Sequence, residues 1–291
     1  MSLQALLASA LSLGLAVFSA LGEAAPSDCH KVVSPSQRTF EYCVRPSTNP
    51  NAANVIYYFH GRGGSANDVF ETFGDQLYGG LLQVLGSARM PHLVGISYGW
   101  ETAFAPASFN DAAVPTQEIV DFTLPEIERG LKFPARPNRT ALGLSLGGFN
   151  ALGVVGERPA DFTGMALLCP ALLDLNPFDV GQVNDFMKRN SSILDPNAAG
   201  AAVAGLKTIF NNVSVWSVGE PFARVRQGRL SSMPIYVSIG TEDEYGFAEG
   251  AQSLVNVARA KGATVEWVPV PGRHCQFDPQ TLAAFFAQTI H

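Results

Sequence analysis

Charge is scarce in this chain of 291 residues: Asp, Glu, Lys and Arg together supply 15% of it, and the formal net charge is −6. No cluster of Lys and Arg occurs. The three closest basic residues, Arg224, Arg226 and Arg229, read as part of a solvated loop. A nucleic-acid partner needs a basic face, so that class is excluded. Hydrophobic residues reach 47%, which excludes a disordered chain, where charge is high and apolar content low. Internal repeats and low-complexity tracts are missing. There are five histidines and four cysteines. None has zinc-ligand spacing and there is no Gly-rich phosphate loop, so neither a metal nor an organic cofactor is expected. Beyond Leu21 no segment is long and apolar enough to cross a bilayer, and no stable membrane partner is expected.

Leu3–Leu21 stands apart. It is uncharged and rich in Leu, Ala and Ser, and small residues follow at Gly22, Ala24 and Ala25. This pattern reads as a secretory signal peptide over residues 1–24, even though its start carries no Lys or Arg. An uncleaved anchor is the competing reading. The expected mature chain, 25–291, is a secreted (extracellular or periplasmic) monomer with one domain. All four cysteines follow the leader, and an even count in an exported chain points to disulfides. Cys29 and Cys43 flank an apparent hairpin and form the preferred pair, which leaves Cys169 with Cys275. Four buried free thiols would suit a cytosolic protein instead.

From Lys31 onward short β-rich runs alternate with helical stretches. Asn54–Phe59 is almost continuously apolar, as in a central strand covered on both faces. The alternation predicts an α/β fold, a mostly parallel twisted sheet with helices on both faces, and ligand sites at the carboxyl ends of its strands. Asp174–Ser231 reads as an irregular and helical insertion or cap.

Gly143-Leu144-Ser145-Leu146-Gly147 matches G-x-S-x-G, with an apolar strand leading in and a helix of small residues leading out. Such a turn strains the serine backbone and stands the hydroxyl at the positive end of a helix. A serine hydroxyl needs a base. His274, in the Gly/Pro loop Val270–Cys275 between the last strand and the last helix, is the candidate. The acid should follow a strand between the two, and Thr241-Glu242-Asp243-Glu244 leaves the strand Pro234–Gly240. Asp243 is preferred, then Glu244, then Glu242. Two backbone donors are needed for an oxyanion. Leu146 supplies one, and the loop His60-Gly61-Arg62-Gly63-Gly64 the other, from Arg62 or else Gly61. His60 itself reads as a buried structural residue. Trp100 and Phe104, after a strand at the same edge, are candidates for lining an aromatic-accepting cleft, and Phe178, Phe186 and Trp216 are weaker ones.

Together His60-Gly-Arg-Gly-Gly, Gly-Leu-Ser145-Leu-Gly-Gly-Phe-Asn-Ala-Leu, Gly240-Thr-Glu-Asp243 and Pro271-Gly-Arg-His274 resemble the esterase D / feruloyl esterase-like family of α/β-hydrolases. Secreted carbohydrate esterases and polyhydroxybutyrate depolymerases have similar layouts. The resemblance spans roughly residues 38–290 and implies an α/β-hydrolase fold with Ser145, Asp243 and His274 as a catalytic triad. It implies two-step hydrolysis of a small-molecule or polysaccharide-linked ester, such as an acetyl or feruloyl ester. Asp174–Ser231 departs from it. A peptidase, an acyltransferase to sugar, and a catalytically inactive secreted binding protein are the alternatives.

Overall fold

Strand Asn54–Phe59 (β3) is buried at every residue, and it sits where that burial demands, inside a sheet. The computed structural model describes residues 28–290, apart from 50, 107–112 and 134–135. The leader expected over residues 1–24 lies outside the described residues. The other strands of the main sheet are Asp28–Val33 (β1), Thr39–Arg45 (β2), His92–Ser97 (β4), Asn138–Leu144 (β7), Phe162–Leu168 (β8), Pro234–Gly240 (β9) and Thr264–Val270 (β10). Two three-residue strands, Ala103–Ala105 (β5) and Ala113–Pro115 (β6), pair separately. The spatial order is β1-β2-β4-β3-β7-β8-β9-β10. β1/β2 and β2/β4 are antiparallel and every other pair is parallel.

Six further elements matter here: helices Gly74–Leu85 (α1), Leu146–Glu157 (α2), Pro196–Phe210 (α3), Val213–Gly219 (α4), Phe247–Ala260 (α5) and Pro279–Thr289 (α6). α2 enters between β7 and β8, and its buried residues run almost all round it, as a helix wedged into the core requires. The β1–β2 hairpin opposes Cys29 and Cys43 directly, and the two are joined in a disulfide. At the base of β7 the nearly buried Arg139 holds both carboxylate oxygens of Glu128, at 2.6 and 2.8 Å, and Tyr57 donates to the same group. The fork-on-carboxylate geometry satisfies charges that could not otherwise be buried.

The stretch 174–231 folds as helices that lean on the sheet domain. Asp195 and Asn212 cap α3 and α4 by accepting two backbone N–H groups each. Asp195 donates its own N–H to the Glu244 carbonyl at 3.0 Å. The expectation of a solvated loop at Arg224, Arg226 and Arg229 is corrected. Arg224 donates to the Gly153 carbonyl at 2.7 Å and Arg229 to that of Glu157 at 2.7 Å, while Arg226 pairs with Asp174 at 2.8 Å. The contacts of Arg224 and Arg229 pin the insertion to α2, and that of Arg226 ties its two ends together. Among the described residues no helix is long and apolar enough to cross a membrane.

Candidate active site

Three strand ends converge. β7 stops at Leu144, and Ser145 takes φ 55° and ψ −116°, a region that costs a side-chain-bearing residue on the order of 1–3 kcal/mol and persists only when surroundings over-determine it. They do. Its N–H donates to the Leu168 carbonyl at 2.9 Å, and its own carbonyl accepts from Gly148 and Ala171, both at 2.9 Å. Gly147 makes the turn possible: a Cβ there would collide with the backbone carbonyl of Phe59 in β3. Gly147→Ala must therefore push α2 off the sheet. It is expected to cost about 1–3 kcal/mol of stability, the usual penalty of overpacking, and to lower activity with it; thermal unfolding and ester turnover of the same preparation check this.

The last strand-to-helix loop brings His274 over the serine. Ser145 Oγ lies 2.9 Å from His274 Nε2, and His274 Nδ1 lies 2.5 Å from Asp243 Oδ2. Asp243 is 1% exposed, and its Oδ1 accepts the N–H groups of Tyr245 and Phe247, each at 3.1 Å. A buried carboxyl group bonded to two amides and an imidazole has both of its oxygens satisfied. Of the competing acids, Glu242 is exposed, and it is Asp243 that holds the imidazole. Glu244 accepts the backbone N–H of His274 at 3.0 Å and pairs with Arg273 at 3.1 Å. Burial raises the Glu244 pKa, but bonds from the His274 and Glu244 amides and the charges of Arg273 and His274 outweigh it and hold the carboxyl below its ordinary value. Glu242 N–H donates to the Gly272 carbonyl at 2.8 Å, so the acid turn and the histidine loop are laced together at several points.

The imidazole is walled by aromatic rings. Its centroid lies 4.6 Å from that of Tyr245 and 5.5 Å from that of Phe247. Sequence reasoning missed both residues, although they follow Asp243 within a few positions.

Leu146 opens α2, so its N–H has no acceptor inside the helix and points with the positive end of the helix dipole. The loop after β3 runs beside Ser145: a Cβ on Gly61 would lie 3.4 Å from the Cβ of Ser145. Gly63 N–H bonds the Trp100 carbonyl at 2.7 Å and Gly64 N–H the Gly61 carbonyl at 3.1 Å. The Arg62 N–H, just ahead of both, takes no acceptor among the described residues. His60 sits buried beneath. Its Nδ1 lies 2.7 Å from the Gly61 carbonyl and therefore carries the proton, which leaves Nε2 to accept from Ser97 Oγ at 2.9 Å. Ser97 in turn accepts the Gly99 N–H at 3.1 Å. Burial lowers the His60 pKa and outweighs the bond to Gly61, so the ring stays neutral and braces the loop.

Cys169, directly after β8, is bonded to Cys275, the neighbour of His274. Both sulfurs lie near the imidazole but share a disulfide, so they offer no thiolate to a metal. The bridge closes a chain separation of 106 residues, and loss of such a link costs about 2–5 kcal/mol. The double variant Cys169→Ser/Cys275→Ser is expected to lose activity faster on heating, and unchanged inactivation kinetics would count against a bracing role.

A cleft of about 860 Å³ opens over Ser145. Leu146, Phe149 and Leu173 line it from the sheet domain, Leu206 and Ile209 from α3, and Trp100 from the rim. Trp100 is 65% exposed there. The expectation for Phe104 is corrected: it is buried in β5, edge-on to Phe59 and Tyr98, and does not reach the cleft. Phe186 and Trp216 are likewise buried, the latter against Phe210.

No protein-family model matches the chain, and no curated protein matches it. Solved structures do. A ferulic acid esterase is 14% identical, with a TM-score of 0.57 over 91% of this chain and 96% of that one. An esterase from Pyrobaculum calidifontis is 16% identical, with a TM-score of 0.60 over 100% and 92%. A lipase in an open form is 16% identical, with a TM-score of 0.56 over 91% and 100%. At such identities the likeness is one of fold, and together with the sheet order it gives this chain the α/β-hydrolase fold.

Proposed function

We propose that this chain is a secreted serine esterase that cleaves carboxylic esters through an acyl-enzyme. One observation carries the reading: the relay from Ser145 Oγ through His274 to the buried Asp243, with steps of 2.9 and 2.5 Å, at the floor of an open cleft. Ser145 Oγ attacks the ester carbonyl as His274 Nε2 takes its proton. The imidazolium so formed keeps its Nδ1–H on Asp243. The oxyanion is met by the N–H groups of Leu146 and Arg62. His274 then protonates the departing alcohol, and the acyl group stays on Ser145. Water attacks the acyl-enzyme along the same path, with His274 again as base, and releases the acid.

Export is supported by the two disulfides, which persist in oxidising compartments, and by the leader pattern at the start of the sequence. The structural neighbours named above are esterases and a lipase by name, which supports ester hydrolysis. A panel of 4-nitrophenyl esters and peptide anilides tests the reading. Esters are expected to be hydrolysed with a burst of nitrophenol, and turnover of anilides without esters would replace it with a peptidase.

A further inference from the structure

The cleft's own lining names an acyl group, given that Ser145 is the esterase nucleophile proposed above. Its volume, about 860 Å³, lies in the range that encloses drug-sized ligands and far exceeds a two-carbon acyl group. Its charged wall residues, Arg62 and Glu101, are paired with each other at 2.6 Å. Its threonines are engaged as well: Thr102 donates to the Tyr98 carbonyl and Thr208 to that of Ala204, both at 3.1 Å. A charged chain entering here would lose hydration without gaining a partner.

On the cap side, beside Leu206 and Ile209, part of the cleft wall is made of small residues. Ala201, Gly205 and Thr208 fall on one face of α3 at i, i+4 and i+7 and line the cleft, while Ala199, Val203 and Phe210 are buried on the other. A glycine inside a helix is destabilising relative to alanine. At Gly205 nothing in the protein demands one, because a Cβ there would meet no atom within 4 Å. What the missing side chain leaves open is room along this wall of the cleft. Gly200, on the same helix, is equally unobstructed and equally exposed, but it lies outside the cleft.

We propose that the substrate's acyl group is an uncharged aliphatic chain well beyond acetyl, lying along the Ala201–Gly205–Thr208 face of α3, and that Gly205 sets the room for it. Each methylene removed from water is worth roughly fourfold in kcat/KM, so a chain that settles there gains steadily with length.

The test compares kcat/KM for 4-nitrophenyl acetate, butyrate and octanoate, and for octyl acetate, in wild type and in Gly205→Leu, Ala201→Leu and Gly200→Leu. Wild type should prefer octanoate to acetate by at least about tenfold. Gly205→Leu should lower that ratio about tenfold or more, Ala201→Leu should act in the same direction, and Gly200→Leu should leave it unchanged. Leucine is a good helix former, so folding of these variants is expected and is checked by thermal unfolding. Acetate preferred in wild type, or a ratio indifferent to Gly205→Leu and Ala201→Leu, overturns the chain assignment while leaving ester hydrolysis intact. A Gly205→Leu effect confined to octyl acetate overturns it in favour of the alcohol side. Failure of every ester, with Ser145 unreactive toward a fluorophosphonate, overturns the assignment and the esterase reading together.

Discussion

Ser145→Ala is expected to lower kcat for a 4-nitrophenyl ester by about five to six orders of magnitude, the loss seen when a triad nucleophile is removed, with a folded protein left behind. Only one atom is taken away. The backbone bonds that hold the turn, from Ser145 N–H to Leu168 and from Gly148 and Ala171 to the Ser145 carbonyl, do not involve the side chain. Alanine keeps the Cβ and meets the same backbone strain as serine. The imidazole loses its partner but faces an open cleft, where water replaces it. Residual turnover comes from the oxyanion donors and from binding alone. Steady-state kinetics beside a thermal melt decide the matter: an unchanged melt with a collapsed kcat is expected. A kcat reduced less than about a hundredfold would mean that the bond breaks by another route.

Asp243→Asn should be the second largest loss, about four orders of magnitude in kcat. The two carboxylate oxygens have different duties: Oδ2 faces His274 Nδ1, and Oδ1 accepts the N–H groups of Tyr245 and Phe247. An amide has one oxygen. If it stays on the two backbone donors, the NH2 faces Nδ1, which must then give up its proton. Nε2 now carries that proton and cannot receive another from Ser145. If the amide turns round, its NH2 meets two N–H groups in a place 1% exposed, and buried donors go unpaired. Both arrangements disarm the base or destabilise the loop. Glu244→Gln and Glu242→Gln separate the acids. Glu244 acts on the His274 amide rather than its ring, so its loss should be far smaller, and that of Glu242 smaller still. A larger loss at either than at Asp243 would reassign the acid; kcat for the three variants under one condition gives the ranking.

Much of this site is legible in the chain because its parts follow strands. Ser145, Asp243 and His274 each sit a fixed few residues beyond a β-run, and a parallel sheet delivers all such positions to one edge. The glycines around Ser145 announce a close approach of strand and helix. The pairing of Cys169 with Cys275 followed by elimination once Cys29 and Cys43 were placed across a hairpin. What stayed hidden depends on tertiary contact. Phe104 lies near the right edge in sequence, yet β5 turns it inward against Phe59 and Tyr98. Tyr245 and Phe247 reach the imidazole only because the turn after β9 curls back, through Gly246 N–H on the Asp243 carbonyl at 3.1 Å. The cap helices carried their own signals, an Asp before Pro196 and an Asn before Val213, both N-cap residues. Those signals mark where a helix begins and say nothing of which face meets the cleft, so Gly205 could not be seen from the sequence.

The most direct measurement is the site of covalent capture in the wild-type protein. A fluorophosphonate is incubated with the folded chain, the mass of the adduct is determined, and the modified peptide is sequenced. One equivalent on Ser145, formed in step with loss of ester hydrolysis, is expected. An adduct on another residue, or a wild-type protein that hydrolyses esters while Ser145 stays unmodified, would contradict the relay of Ser145, His274 and Asp243 as the reacting centre.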